Sequence, residues 1–547
     1  MRFVPFLLAI VCLVVLFTGL DRTGVIDQFE ARDAQVAREL VSAREPITPL
    51  VGYEPLFEKP ILAYAPEAAV RFVSGSPDFH SRLLRAIVGL LLVILTASIA
   101  AEHFGARAAW FAALILSTSP AFPCATRADG TQLFATLFGW LGCAGLADAQ
   151  FGRRAGRDLR LIVAYGALAA ALVCAGPLPA LWPLAALAIY LALARVPDGW
   201  RRARPLAGLA LMAGLALPWY GAAFERHGAA FLAHVPFFPY AAGPWGPWWV
   251  GPVLTPSLLV FGFFPWSSLL PEALLHAATR WRPPRGAVAR PPGAGVEESR
   301  ADPVARERRE ERAAHFFVAC LIAALVPVAF YPRAPFSAAL PALPAAALLC
   351  GRFLDHLFED AERVARPLWR TVLMLALLAT AGGIMLTMLA RHVREAAPAL
   401  RLLGTLVFLT GWAPFLASLI GRRRIAAALM PLPVVLGLPI VTMRILPAME
   451  GYLNTREVAA TLAAASPPRA TLVLLEPPPP SLRLYSRRNL AVATELAPAL
   501  ERNRSSDGLA YVAFRPSREQ DVARAAAGPL EILTRTPSMV LARVHPG

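Results

Sequence analysis

Apolar and polar residues alternate along this chain in blocks rather than residue by residue. The first block, FVPFLLAIVCLVVLFTGL, fills positions 3–20 directly after Arg2. Apolar runs recur at about 81–101, 107–123, 131–149, 160–175, 177–195, 205–221, 252–273, 314–331, 335–351, 370–390, 400–420 and 425–447. A run of about 18 or more apolar residues is long enough to cross a hydrocarbon core as a helix, so about thirteen spanning helices are predicted. No A-x-A-like cleavage site follows the first run, which therefore reads as the first span and not as a removed leader. No internal repeat stands out and charges inside the runs are few, which weighs against a transporter.

The polar connections fall into two alternating sets. One set carries the arginines: AEHFGAR, QFGRRAGRDLR, RVPDGWRRARP, residues 274–313, GRFLDHLFEDAERVARPLWR and GRRR. Arginine-rich short loops are expected on the cytoplasmic side. Residues 276–313, rich in Pro, Gly and Arg, are expected to be disordered. The other set then lies outside: 21–80, turns near 123–130 and 331–334, 222–251, 391–399 and everything after about 448. The tail alternates helix-like TREVAATLAAA and PSLRLYSRR with strand-like ATLVLLE, GLAYVAF and MVLARV. The expected fold is an α-helical polytopic membrane protein over residues 1–447. A small extracytoplasmic α/β domain is expected over 448–547.

Composition agrees. The chain is 57% hydrophobic and 16% charged, against about 25% charged in ordinary soluble domains. The net charge of +16 comes with no nucleic-acid-reading motif and sits in the loops, so nucleic acid is excluded as a partner. Most of the six cysteines fall inside apolar runs and none lies in the polar tail. They read as small core residues and not as disulfides or a zinc site. One residue stands apart: Lys59 is the only lysine, all other basic side chains being arginine. A compact ammonium does things a guanidinium cannot.

Candidate chemistry collects on the outer side. Residues 27–43 can form an amphipathic helix on the membrane surface, with Phe29, Ala37 and Leu40 apolar and Asp27, Glu30, Asp33 and Glu39 acidic. A merely solvated face is the plainer reading. Glu58 and Lys59 follow, where a lysine can hold a phosphate as a point charge and a carboxylate can orient it or bind a metal. ATRADGTQLF places Arg127 and Asp129 at the mouth of a span, where Asp129 also suits a helix N-cap. Arg333 sits at a third mouth, where a snorkelling role is the alternative. In the loop 222–251, Trp245, Trp248 and Trp249 suit either an interface belt or a groove for a lipid tail or sugar. His227 and His234 stand beside them.

In order, FEARDAQVAREL, FEKPILAY, ATRADGTQLF, CAGPLPALWPL, GPWWVGPVL, GFFPWSSLLP, RAPFSAALPALPA and PSLRLY resemble the GT-C glycosyltransferases. The likeness is to the bacterial lipid A aminoarabinose transferases and to protein O-mannosyltransferases, over nearly the whole chain. It implies transfer of a sugar, with inversion, from a polyprenyl-phosphate donor to a lipid, glycan or protein acceptor at the periplasmic face of a bacterial inner membrane. It implies that the loop with Glu58 and Lys59 lies at the active cavity, with Lys59 on the donor phosphate; position and charge add Arg333 and Arg127 as candidate phosphate ligands, and His234 with the three tryptophans as a candidate lipid or sugar groove. No organic cofactor is implied, and a divalent cation is left open. The chain departs from the family pattern at Phe29, where an acid is usual, and at Leu56, Ala175 and Phe237. Glu30 with Asp129 is the expected replacement acid, with Asp27 and Asp33 in reserve. A non-catalytic relative that binds a polyprenyl phosphate or glycolipid as a scaffold is the alternative.

Overall fold

A computed structural model describes residues 4–73, 77–152, 156–196, 198–235, 257, 259–279, 303–330, 336–359, 365–526 and 528–545. Within them the apolar runs are helical. The first is α1 (Val4–Phe17). A π-turn over Asp27–Ala31 leads into α2 (Arg32–Ala43). A short hairpin follows, β1 (Leu50–Val51) with β2 (Glu54–Pro55), then α3 (Ala65–Val73). The bundle continues with α4 (Pro77–Phe104), α5 (Ala106–Ser117), α6 (Ala121–Ala128), α7 (Gly130–Phe151), α8 (Arg157–Ala175), α9 (Pro177–Ala194), α10 (Gly199–Ala203) and α11 (Pro205–His227). Long helices at Pro303–Phe330, Ala342–Glu359, Ala365–His392 and Ala397–Leu419 complete it.

Among the described residues, six helices are long and apolar enough to cross a membrane, or seven if α5 and α6 form one span bent by 59°. The bend lies at Thr118, Ser119 and Pro120, where proline supplies no backbone N–H to continue the ladder. The last run, 423–448, is interrupted at Pro431 and again by a π-turn over Val441–Ile445. Gly176 ends α8 with φ of 84° and Pro177 opens α9. Glycine accepts that left-handed backbone, and proline suits a first helical turn. The expectation of disorder over 276–313 is corrected at both ends. Residues up to Thr279 belong to a helix from Leu270, and Pro303 opens the long helix to Phe330. The stretch VARERREERAA is built from good helix formers and extends the apolar run that follows it.

The bundle interior is aromatic and small-residue packed. Trp140 and Phe317 stack with ring centres 6.3 Å apart, and the Trp140 indole donates to the Pro341 carbonyl at 2.9 Å. Between α7 and α8 the backbones close up. A Cβ at Gly145 would lie 2.5 Å from Ala164 Cβ and 2.8 Å from the Arg160 carbonyl oxygen. Small residues allow such approach where no hydrophobic force drives helices together in lipid.

The C-terminal part is a five-stranded mixed sheet in the order β4-β3-β5-β7-β6. Its strands are β3 (Thr471–Leu474), β4 (Asn489–Val492), β5 (Ala510–Phe514), β6 (Leu530–Arg535) and β7 (Val540–Val544). β3 runs parallel to β4 and β5, and β7 antiparallel to β5 and β6. Alternation splits β3: Leu472 and Leu474 join Val458, Leu462 and Leu482 on one face, while Val473 joins Leu496, Val512 and Val522 on the other. All five elements expected in the tail are present. β4, β6 and helices at Leu496–Arg502 and Glu519–Ala525 were not anticipated.

The sheet unit grips the start of the chain. Ser481 donates to Asp27 from its backbone N–H at 2.6 Å and its hydroxyl at 2.7 Å. The Val25 N–H donates to the Tyr485 hydroxyl at 2.7 Å, which itself donates to Asp78 at 2.7 Å. Arg38 donates to the Leu484 carbonyl at 2.9 Å. Hence α2 is not a helix resting on a membrane surface: Asp33, Ala34, Gln35, Val36, Ala37, Glu39 and Leu40 are all buried.

Replacing Gly145 by leucine forces α7 from α8 against a backbone carbonyl that has no rotamer to yield. We expect Gly145→Leu to cost about 1–3 kcal/mol or more, read as a lower unfolding temperature and lower folded yield in detergent. An unchanged melt would show that the helix pair is looser than drawn.

Candidate active site

Residues 24–67 fold over one end of the bundle and place their acids at different depths. Glu30 is the most deeply held, 2% exposed. It accepts from Arg82 Nε at 3.0 Å and Nη2 at 2.6 Å, and from Arg85 Nη2 at 2.7 Å. The Ile26 N–H adds a bond at 3.1 Å. Arg82 also donates to the carbonyls of Leu20, Thr23 and Gly24. Burial pushes the Glu30 carboxyl up, but Arg82 and Arg85 outweigh it and hold the group below its ordinary value. Both carboxylate oxygens are thus committed to tying the outer segment to α4.

One helical turn later, Asp33 meets a different partner. Its two oxygens accept from Lys59 Nζ at 2.9 and 2.8 Å. The Lys59 ammonium lies 5.8 Å from the centre of the Tyr64 ring. Its side chain is 19% exposed and that of Asp33 12%. Burial alone would lower the lysine pKa. Asp33 and Asp129, with Tyr64, outweigh it and hold the group above its ordinary range, firmly protonated. The loop carrying Lys59 is set by Glu39, which accepts from the N–H groups of Gly52 at 3.0 Å and Tyr53 at 2.9 Å.

Asp129 caps α7 by accepting from the Gln132 N–H at 3.1 Å, and its second oxygen accepts from the Ser337 hydroxyl. It is an N-cap and also a charge acting on both Lys59 and Asp33. Asp33, Lys59, Asp129 and Tyr64 therefore form one neighbourhood. The other candidates lie elsewhere. Asp27 faces Ser481 of the sheet unit. Glu58 pairs with Arg32 at 2.7 Å. Arg127 donates to the carbonyls of Pro123, Val15 and Thr18, each at 3.0 Å, and so anchors α6 to α1. His234 is exposed and bonds the Ala230 carbonyl at 2.8 Å. His227 meets the Thr48 hydroxyl at 2.9 Å in a tight apolar niche between Phe57 and Trp219 that also touches Lys59. Arg333, Trp245, Trp248, Trp249, Phe237 and the side chain of Phe29 lie outside the described residues. Among the described residues, no group of three or more His, Cys, Asp and Glu side chains is placed to hold a metal ion.

Sequence reasoning missed Arg82, Arg85 and Tyr64. The arginines carried a signal. Two cations three residues apart at the head of an apolar run are costly in a membrane unless paired.

No family model matches the chain, and no curated protein sequence matches it. Solved structures do. The crystal structure of ArnT from Cupriavidus metallidurans in the apo state superposes with a TM-score of 0.77 at 19% identity, over 98% of this chain and 97% of that one. This chain has the ArnT fold. The same ArnT bound to undecaprenyl phosphate gives 0.76 over the same spans. A more distant likeness, at 0.46 and 12% identity over 98% of this chain and 74% of that one, is the archaeal oligosaccharyltransferase AglB from Archaeoglobus fulgidus. The aminoarabinose-transferase resemblance read from short motifs is thus met by an ArnT-like architecture along the whole chain.

Glu30 gives a pH prediction. Its folded pKa lies below the ordinary 4.5. The stability it contributes is therefore complete above pH 4.5 and lost as pH falls through the lower folded value. Glu30→Gln should lower the unfolding temperature at pH 7, because removing one partner of a buried pair costs about 3–5 kcal/mol. The gap between wild type and variant should narrow below pH 4.5. Melting curves from pH 3 to 7 test it, and a pH-independent gap would refute the ion-pair account.

Proposed function

We propose that this chain is an inverting GT-C glycosyltransferase. It moves a sugar from a polyprenyl-phosphate donor to a lipid, glycan or protein acceptor at the outer face of a bacterial inner membrane. The observation that carries this reading is the Asp33–Lys59 pair, beside Asp129, at the end of an ArnT-like bundle. The neighbouring structure with undecaprenyl phosphate supports the choice of donor class.

In this reading Lys59 meets the donor phosphate. As the bond from the sugar C1 to the phosphate oxygen breaks, its electron pair leaves with the phosphate, and the ammonium stabilises the growing negative charge. The acceptor attacks C1 from the opposite face through an oxocarbenium-like transition state. Its proton passes to a carboxylate. We assign that role to Asp33 ahead of Glu30, because both Glu30 oxygens are held by arginines. In the absence of donor, Lys59 blunts Asp33 as a base. A bound phosphate draws the ammonium away and frees the carboxylate, so the base is released only when donor is present. Asp129 adds negative charge that keeps Lys59 protonated, and Arg333 is a second phosphate ligand. This reading requires no divalent cation on the phosphate.

The same reading sets the topology: about thirteen spans, residues 276–313 on the cytoplasmic side, and the sheet unit in the periplasm with Lys59. Contacts of Ser481, Leu484 and Tyr485 with residues 25–38 support one side for both. Single cysteines at positions 290 and 505, in a background without other reactive cysteines, should label from opposite faces. Labelling of both from one face would sink the topology.

Transfer is tested in membranes with polyprenyl-phosphate sugars. Lys59→Ala should abolish donor binding and transfer, while Lys59→Arg should keep part of both, since a fork replaces a point charge. Asp33→Asn should keep donor binding and lose about 10²–10⁴ in rate. Full activity in Lys59→Ala would end the phosphate assignment. Tight donor binding by a wild type that transfers no sugar would favour the scaffold reading, to which the Phe29 departure also points.

A further inference from the structure

Tyr64 carries a polar group that the chain itself does not use. A 3₁₀ turn over Ile61–Ala63, just after Pro60, brings Tyr64 back beside Lys59. Its backbone is engaged on both sides: the N–H donates to the Ile61 carbonyl at 3.0 Å, and the carbonyl accepts from the Ala68 N–H at 2.9 Å. The residue is 1% exposed and packs with Val36, Leu40, Leu56 and Ala63. Packing alone in such a niche is served equally well by phenylalanine. The hydroxyl, although buried, has no hydrogen-bond partner among the described residues. A desolvated donor left unpaired is costly, and native structures rarely keep one without a use.

Its surroundings favour a ligand of one sign. The Lys59 ammonium stands over the ring, 5.8 Å from its centre, and the hydroxyl lies only a ring radius and one bond from that centre. Among the charges acting on the phenol, Lys59 comes first, followed by Asp33, Glu58 and Arg32. Burial, helped by Asp33, outweighs Lys59 and holds the phenol above its ordinary range, so it keeps its proton. Beside the cation there is thus a neutral O–H donor, fixed in place by its packed ring. An anion drawn to Lys59 suits both groups: the ammonium supplies charge and the hydroxyl a directed bond.

We propose, resting on the transferase reading above, that the Tyr64 hydroxyl donates a hydrogen bond to the phosphate of the polyprenyl-phosphate substrate and is a catalytic residue beside Lys59. In the sugar-bearing substrate the phosphate is a diester with a single negative charge. When the C1–O bond breaks, its electron pair passes to the phosphate oxygen, and the group becomes a monoester with a second charge. The bond from Tyr64 strengthens as that charge grows, so it stabilises the transition state more than the bound substrate. The proton stays on Tyr64 throughout, and Asp33 remains the base. A neutral hydroxyl also leaves the pairing of Lys59 with Asp33 undisturbed until a phosphate arrives.

The test compares full-length wild type, Lys59→Ala and Tyr64→Phe in detergent, by melting and by titration with two probes. One is undecaprenyl phosphate, a monoester. The other is its methyl ester, a diester standing in for the sugar-bearing substrate. Tyr64→Phe should melt at or above the wild-type temperature, because it removes a buried group that has no partner in the free protein. It should bind the monoester about tenfold to a hundredfold more weakly than wild type does, and lose less on the diester. A lower melting temperature would give the hydroxyl a structural role and overturn the proposal. A loss no greater for the monoester than for the diester would overturn the catalytic role. Unchanged binding of both esters by Tyr64→Phe, with binding lost in Lys59→Ala, would overturn the proposal and leave the transferase reading standing. A wild type that binds neither ester would end that reading, and the role of Tyr64 with it.

Discussion

The outer end of this protein depends on one buried carboxylate. Glu30 takes three hydrogen bonds from Arg82 and Arg85, and Arg82 uses its remaining donors on the carbonyls of the chain that leaves α1. Two guanidiniums in the first turns of an apolar helix would be costly alone. Paired, they fix where α2 starts and which way it faces. Asp33 lies three residues on, on the adjoining face of the helical turn, and reaches Lys59 because Glu30 is pinned. The ion pair that looks inert thus sets the geometry of the pair that looks reactive.

The sheet unit completes that arrangement. Asp27, Val25 and Arg38 are held by Ser481, Tyr485 and the Leu484 carbonyl, and Val25, Ala31 and Ala34 bury against Leu484. The helix that carries Asp33 therefore has the hairpin segment with Leu56, Ala63 and Tyr64 on one side and the sheet unit on the other. Its burial on both sides explains why an amphipathic pattern with four acids does not mark a solvated face. Each of Asp27, Glu30, Asp33 and Glu39 has a partner of its own.

Much of this architecture was legible in the chain because it rests on local rules. Apolar length gave the helices, and strand-like alternation gave β3, β5 and β7. β4 and β6 escaped notice because their residues are half or fully exposed and carry no buried-strand signature. Residues 276–279 and 303–313 were read as disordered because the Pro, Gly and Arg content of 276–313 as a whole was weighed above the helix propensity of its ends. At the site, Lys59 stood out by its rarity and Asp33 by its place in the outer helix. Their pairing did not, since it joins positions 26 apart through a hairpin. Ser481 meets Asp27 across 454 residues, a distance over which sequence spacing carries no information. The role of Glu30 was hidden for a related reason: its partners sit in an apolar run, where two arginines were passed over as the edge of a span.

The scarcity of lysine has a practical side. Lys59 carries the only side-chain amine in 547 residues, and it lies where the acids converge. Reagents that acylate amines, which scatter over dozens of sites on ordinary proteins, have a single side-chain target here. The chain therefore carries its own reporter, and the rate at which that amine is acylated measures how tightly Asp33 holds it.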